Sequence, residues 1–403
     1  MSERKIIFEI AAVYTAVIIG AGFATGRELI SFFLDYGRFA VPGLLLSGVL
    51  MALAGWATLE VCARRGLAGF DDLVAYAAGS FAGGLIKAGA VAFLFVIFAA
   101  MLSAAGALGS QLLGLPRFAG ALAMCLLCLL AFSFDIRGLV RVSALLAPVL
   151  ILGSIGLGLY TYLFDAVATL GLAGETLRQN WVSSAVIYAA YNMITVIAML
   201  AAVSASVRTR RAAVLGVAAG AGAVTLIALS LMLGLSRGLP AVSGFAVPFL
   251  RLVQDYGAAL QWAYVAVLAA AIYTTAITNG YCFYLAVLNR PWRRVCSPIT
   301  SPDFPQDFCQ NARKRQRRVP KGTLGGADAA VWQKDKGNRE VIGEQTLGPW
   351  IAKVAMCAAA LAFSQIEFTH IVERVYPVFG VLGLFLAAII VITAAARVKP
   401  LPK

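Results

Sequence analysis

Hydrophobic residues fall in ten blocks along the chain, approximately 7–34, 39–62, 88–114, 118–134, 142–164, 182–206, 212–235, 257–288, 350–366 and 375–396. Most are at least as long as the roughly twenty residues an α-helix needs to cross ~30 Å of hydrocarbon. The pattern therefore predicts an all-α membrane protein of about ten transmembrane helices; the ninth block is short. The first block runs past any small-residue cleavage site to about Asp35 and is read as a retained span rather than a signal peptide. Between blocks two and three, residues 69–84 (GFDDLVAYAAGSFAGG) are amphipathic and suit the membrane interface. Residues 236–256 read as a structured extracellular connection with a short helix.

Composition agrees: 61% of residues are hydrophobic and 13% charged, where a soluble domain is about a quarter charged. The net charge of +14 belongs with basic loops on one side of a lipid bilayer rather than with nucleic acid. With the N-terminus inside, 26 Lys and Arg fall on the cytoplasmic side and 6 opposite, with Arg27 inside a span. Thirteen of the 26 lie in 290–353, and the bias survives their removal, so both termini are expected in the cytoplasm. Residues 295–346, with Ala312–Arg318 reading ARKRQRR, lack apolar periodicity and read as a disordered basic cytoplasmic loop near anionic headgroups. The seven cysteines are scattered; Cys125 and Cys128 sit in an apolar run with no second pair, and His370 is the only histidine, so no disulfide framework, zinc site or cofactor is expected.

Three blocks break the pattern of a plain span. The first contains Gly20-Ala21-Gly22-Phe23-Ala24-Thr25-Gly26-Arg27-Glu28: three glycines in seven residues, then two charges. Glycine weakens helices, and charged side chains at membrane depth normally face a polar pathway. Two readings stay open: an unwound segment whose free N–H groups hold an anion, or a Gly22/Gly26 pair that lets helices pack closely. A dinucleotide-binding turn is excluded because no βαβ unit surrounds the glycines. The sixth block carries Tyr188, Tyr191, Asn192 and Thr195 near its centre, and buried groups of this kind need partners. The eighth carries Ala271 to Asn279 (AIYTTAITN), whose hydroxyls suit a hard monovalent cation or bond back to their own helix. Since the unusual blocks include the first and sixth of ten, the chain divides into two five-span halves, 1–170 and 175–403. An odd number of crossings in each gives them opposite topology, with helices 1 and 6 discontinuous.

Ten spans, the GAGFATGRE break and the hydroxyl-rich span eight resemble the five-plus-five inverted-repeat transporters of the amino acid–polyamine–organocation superfamily, the LeuT-like fold. The GAGFATGRELISFF segment is similar to the YkvI-type family of bacterial membrane proteins, regarded as amino acid permeases. The resemblance implies a sodium site from the carbonyls of Ala16, Ile19 and Ala271 and the hydroxyls of Thr274 and Thr275. Some proton-coupled relatives place a span-five lysine there; span five here has none, which favours sodium. It also implies a solute carboxylate resting near Gly20, Gly22, Phe23, Ala24, Thr25 and Gly26. Tyr188, Tyr191 and Asn192 of span six and Phe95, Phe98 and Ser103 of span three would form the walls, and Arg27, with Glu28 or Glu373, an outer gate.

These readings point to a sodium-coupled symporter of an amino acid or similar small zwitterion in the bacterial inner membrane. The competitors are a proton-coupled or uncoupled transporter or channel on the same scaffold, and a non-transporting sensor. An enzyme is not expected: there is no HExxH motif and no pair of intramembrane aspartates.

Overall fold

The computed structural model describes residues 3–67, 69–133, 152–163, 180–204, 207, 209–239, 241–287 and 347–396; among them all regular structure is helical. The first block is not one helix. Helix α1 (Glu3–Ile18) stops before Gly20, whose backbone is extended (φ −115°, ψ −173°). A five-residue helix, α2 (Ala21–Thr25), follows, and Gly26 in the left-handed region (φ 81°) separates it from α3 (Arg27–Phe32). A side chain with a Cβ is strained at that φ, so Gly26 is what permits the second bend. A 3₁₀ turn, Leu34–Phe39, leads into α4 (Ala40–Arg65).

Helix α5 (Phe70–Leu113) joins the amphipathic stretch directly to span three. Its 44 residues bend at Gly79 (φ 78°, ψ −177°), so the interfacial segment and the span are one bent element. Then come α6 (Arg117–Ala131), α7 (Leu152–Leu163), α8 (Trp181–Val203) and α9 (Arg210–Gly238). The short helix expected in 236–256 is α10 (Pro248–Gln254). Helices α11 (Ala258–Val287), α12 (Leu347–Phe363) and α13 (Phe368–Ala395) complete the order. The first turns of α13 widen to a π-helix over Ile371–Val375, just before Pro377. Proline has no N–H to bond the Glu373 carbonyl four residues back, and a π-bulge absorbs that loss.

One expectation is corrected here. Span six is not discontinuous: α8 runs unbroken from Trp181 to Val203. It contains neither glycine nor proline, and two of its mid-span polar side chains bond back to their own helix. Asn192 Nδ2 donates to the Tyr188 carbonyl at 2.9 Å and Thr195 Oγ1 to that of Asn192 at 3.0 Å. The first part of predicted span five (142–151) and the loop 295–346 lie outside the described residues.

Among the described residues, six helices are long and apolar enough to cross a membrane, and three shorter apolar helices accompany them. With the broken first segment they account for the ten blocks of the sequence. Helix α8 lies at the centre, packed against α4 and α13; α1 packs on α9, and α5 on α11 and α6. Between α8 and α13 the approach is close enough that a Cβ on Gly383 would run into the Ala190 carbonyl, a small-residue contact of the kind that lets helix backbones meet in lipid.

Candidate solute and ion site

The break in span one sets free backbone groups that a continuous helix would use. The Gly20 N–H bonds to the Ile18 carbonyl (2.8 Å) instead of that of Ala16. Among the described residues no backbone N–H bonds to the Ala16 or Ile19 carbonyl. Span eight faces this opening: a Cβ built on Gly20 would stand 3.3 Å from Thr275 Oγ1, and Tyr264 donates to the Ala24 carbonyl at 2.9 Å, tying α2 to α11. Thr274 Oγ1, on the same turn, donates to the carbonyls of Ala270 (2.9 Å) and Ala271 (3.2 Å). Its hydrogen is thereby committed while an oxygen lone pair remains for a cation. Carbonyls and hydroxyls without a carboxylate suit a weakly charged, hard ion.

On the other side of the break the sequence-derived arrangement is altered. Phe23, Ala24 and Thr25 are buried, and Thr25 Oγ1 donates back to the Gly22 carbonyl at 2.9 Å. The space above Gly22 is filled by the chain itself, since Glu28 Oε1 stands where a Cβ on Gly22 would go. Glu28 Oε2 accepts a hydrogen bond from the Tyr191 hydroxyl at 3.0 Å. Among the described residues no Lys, Arg or His pairs with Glu28, although it is only 7% exposed.

Around that carboxylate the aromatic rings converge. Tyr191 lies 5.2 Å from Tyr376, 5.4 Å from Tyr188, 5.6 Å from Phe32 and 6.2 Å from Phe93, centroid to centroid. The Tyr188 hydroxyl is buried and has no hydrogen-bond partner among the described residues. Asn192, by contrast, spends its amide on its own helix. Of the three span-three residues read as walls, none joins this group. Phe95 packs on Phe283 and Phe363, Phe98 on Phe132, and Ser103 donates to the Ile366 carbonyl at 2.8 Å. The residue that span three supplies is Phe93. Two positions along a helix is a rotation of about 200°, so Phe93 and Phe95 point to opposite sides. In the uniformly apolar run FLFVIF no polar neighbour marks which side faces inward.

Above the site, Arg27 bonds to the carboxylate of Glu373 and donates to the Ser243 carbonyl at 2.5 Å. Arg27 is thus paired with Glu373 rather than its neighbour Glu28. The bond ties α3, the loop before α10 and the π-turn of α13 together. At the opposite end of the bundle, Glu60 pairs with Arg64 (2.5 Å) and Arg210 (3.6 Å), joining α4 to α9.

A helical membrane bundle with its first span opened twice, and with polar groups gathered at the opening, has the LeuT-like fold. A Na⁺-coupled sialic acid symporter, solved in a substrate-bound outward-open state, superposes with a TM-score of 0.54 at 11% identity, over 94% of this chain and 78% of that one. In sequence, the chain is 28% identical over 273 residues to the uncharacterized membrane protein YkvI of Bacillus subtilis (strain 168), covering 68% of this chain and 78% of that one. It is 24% identical over 268 residues to the uncharacterized protein YyaD of the same organism, covering 65% and 75%. No family model matches the chain. The likeness to YkvI seen in fourteen residues of the first span therefore extends over two thirds of the chain.

Proposed function

We propose that this protein is a secondary transporter, coupled to sodium, for a small solute bearing an ammonium group, such as an amino acid. The observation that carries the proposal is the break itself. The Ala16 and Ile19 carbonyls are released from the helix, the adjoining Gly20 lies against Thr275, and a buried polar group lies a few residues further on. Non-helical backbone at membrane depth is tolerated only where it is buried in protein or lines a water-filled cavity. The packing pairs support two related halves: α1 on α9 and α4 on α8 exchange with one another if the first five spans are matched to the last five. The solved symporter of the same fold is described as Na⁺-coupled, which supports sodium as the driving ion here.

In this mechanism sodium binds between the span-one break and α11, holding the two together. It thereby favours the state in which solute enters beside Glu28 and Tyr191. The Arg27–Glu373 bond closes the outer side, and the Glu60 cluster with Arg64 and Arg210 closes the cytoplasmic side. Opening one while the other stays shut exposes the site alternately. No bond of the solute is made or broken.

The test is thermal unfolding of the purified protein in sodium and in choline, repeated for Thr274→Ala and Thr275→Ala. Sodium should raise the wild-type melting temperature, with at least a tenfold weaker apparent sodium affinity in Thr275→Ala. Equal stabilisation of wild type and both variants would exclude this ion site. The proton-coupled alternative draws on Glu28, a buried acid with no cationic side chain paired to it among the described residues. Uptake into proteoliposomes that ignores sodium and follows a pH gradient would put that mechanism in sodium's place.

A further inference from the structure

Ile187 and Ala190 of α8 stand against Gly380 and Gly383 of α13 in the same order along the chain, so the two helices run parallel and enter the membrane from the same surface. That surface bears the Arg27–Glu373 bond. Ser184, in the first turn of α8, donates to the Phe32 carbonyl at the end of α3 (2.8 Å), and Glu373 lies in the π-turn that opens α13. At this end the two helices leave a groove of about 590 Å³ between them, within the range of roughly 300–1,000 Å³ that holds small ligands. Helical spacing puts Val182 and Val186 on the side of α8 away from Tyr188 and Tyr191, so the groove is separate from the solute site.

The groove changes character along its length. Asn180 and Ser183 stand at its mouth, and Val182, Val186, Ile187 and Leu384 line it below. From Asn180 to Ile187 the helix descends about 10 Å, against about 15 Å for half of a hydrocarbon core. Beside the mouth three planar groups are stacked. The Arg38 guanidinium lies over the Phe39 ring at 4.9 Å, and Phe39 stacks on Trp181, itself a groove residue, at 5.5 Å between centroids. A guanidinium held by its face keeps its in-plane N–H groups for another partner. Arg38 is exposed and joins no ion pair among the described residues. Tryptophan is enriched at the headgroup level of membranes, which is where the start of a span belongs.

A cation and two polar side chains above an apolar trough match one kind of occupant. A helix from a second copy of the chain is apolar along its length and would leave the Arg38 charge unanswered. A phospholipid carries a phosphate above its acyl chains and answers both ends. No carboxylate lines the groove, so the ammonium of a zwitterionic headgroup finds no counter-charge there, whereas a headgroup of net negative charge is drawn to Arg38. We infer that this groove holds one anionic phospholipid, its phosphate on Arg38 and an acyl chain along Val182, Val186 and Leu384, bracing α8 against α13. The lipid site needs only the membrane fold and stands whether or not the solute and ion proposed above are right.

The test uses full-length protein, stripped of lipid in detergent and titrated with dioleoylphosphatidylglycerol or with dioleoylphosphatidylcholine, which has the same chains. Native mass spectrometry counts the lipids retained, and thermal unfolding reads their effect. One phosphatidylglycerol should be retained, and should stabilise the protein, at a concentration about fivefold below phosphatidylcholine, the gain expected of one basic residue at a membrane surface. Arg38→Gln should abolish that preference and leave phosphatidylcholine binding as it was. Val182→Trp should weaken both lipids at least tenfold by filling the trough; Val182 is 46% exposed, so the larger side chain need not enter the core. Leu226→Trp, at a position 60% exposed on α9, should change neither. Equal affinity for the two lipids, Arg38→Gln keeping the preference, or Val182→Trp behaving like Leu226→Trp would each overturn the inference. So would a mass of two chains that Val182→Trp dissociates, which would put a second copy in the groove.

Discussion

Span one and span six cross the same bundle, hold equivalent places in the two proposed halves, and both carry polar residues at mid-membrane, yet only the first is broken. The difference lies in how each meets the demand that every backbone group in lipid find a partner. Helix α8 meets it locally: its ladder is intact, and Asn192 and Thr195 bond to carbonyls of their own helix. Span one abandons the ladder at Gly20 and Gly26 and relies on other helices. Tyr264 caps the Ala24 carbonyl, Thr275 lies against Gly20, and Tyr191 holds Glu28. The broken span offers backbone and charge, while the unbroken one provides a stiff wall of tyrosines. A site that must hold a solute and still open and close uses both, because a part that rearranges needs a part that does not.

The comparison can be broken most severely from the rigid side. Gly383→Val would drive a side chain into the Ala190 carbonyl, where backbone cannot yield. Forcing α13 off α8 should cost about 3 kcal/mol or more, seen as loss of monodisperse protein in size-exclusion chromatography. The bond across the broken side comes next. Arg27→Met or Glu373→Gln alone strands a poorly exposed charge or dipole and should cost about 2 kcal/mol. The double variant should cost less than the sum, by about 1 kcal/mol in a double-mutant cycle; strict additivity would mean that the pair does not act as a unit. The smallest effect is also the most direct contrast. Gly26→Ala introduces a Cβ at φ 81°, 2.6 Å from Leu235 Cδ1, and should destabilise by about 1–2 kcal/mol. The reverse exchange in the rigid helix, Ala198→Gly, should also destabilise, by about 1 kcal/mol. If Gly26→Ala were neutral, the bend would not depend on glycine.

The helical fold could be read from the sequence because lipid enforces it one span at a time: a block of twenty apolar residues has no other stable state there. The break in span one was legible for the same local reason, since glycines and charges clustered within nine residues disfavour a continuous helix wherever they occur. The same logic explains the failure at span six. Tyr188, Tyr191 and Asn192 were read as site residues; Tyr191 bonds to Glu28, Tyr188 packs on Tyr191, and Asn192 bonds to its own helix. Polar side chains alone do not unwind a helix, however; without glycine or proline they are absorbed by it.

What the sequence determined by itself is therefore what is local: where the chain crosses, where it must bend, and which segments carry chemistry. Which surfaces meet was left to the tertiary structure. Helix rotation set Phe93 rather than Phe95 beside Tyr191, Arg27 found an acid 346 positions away, and Glu28 turned back over Gly22. Each depends on how helices rotate and pack against one another, and packing among uniformly apolar faces leaves little trace in the order of residues along any one of them.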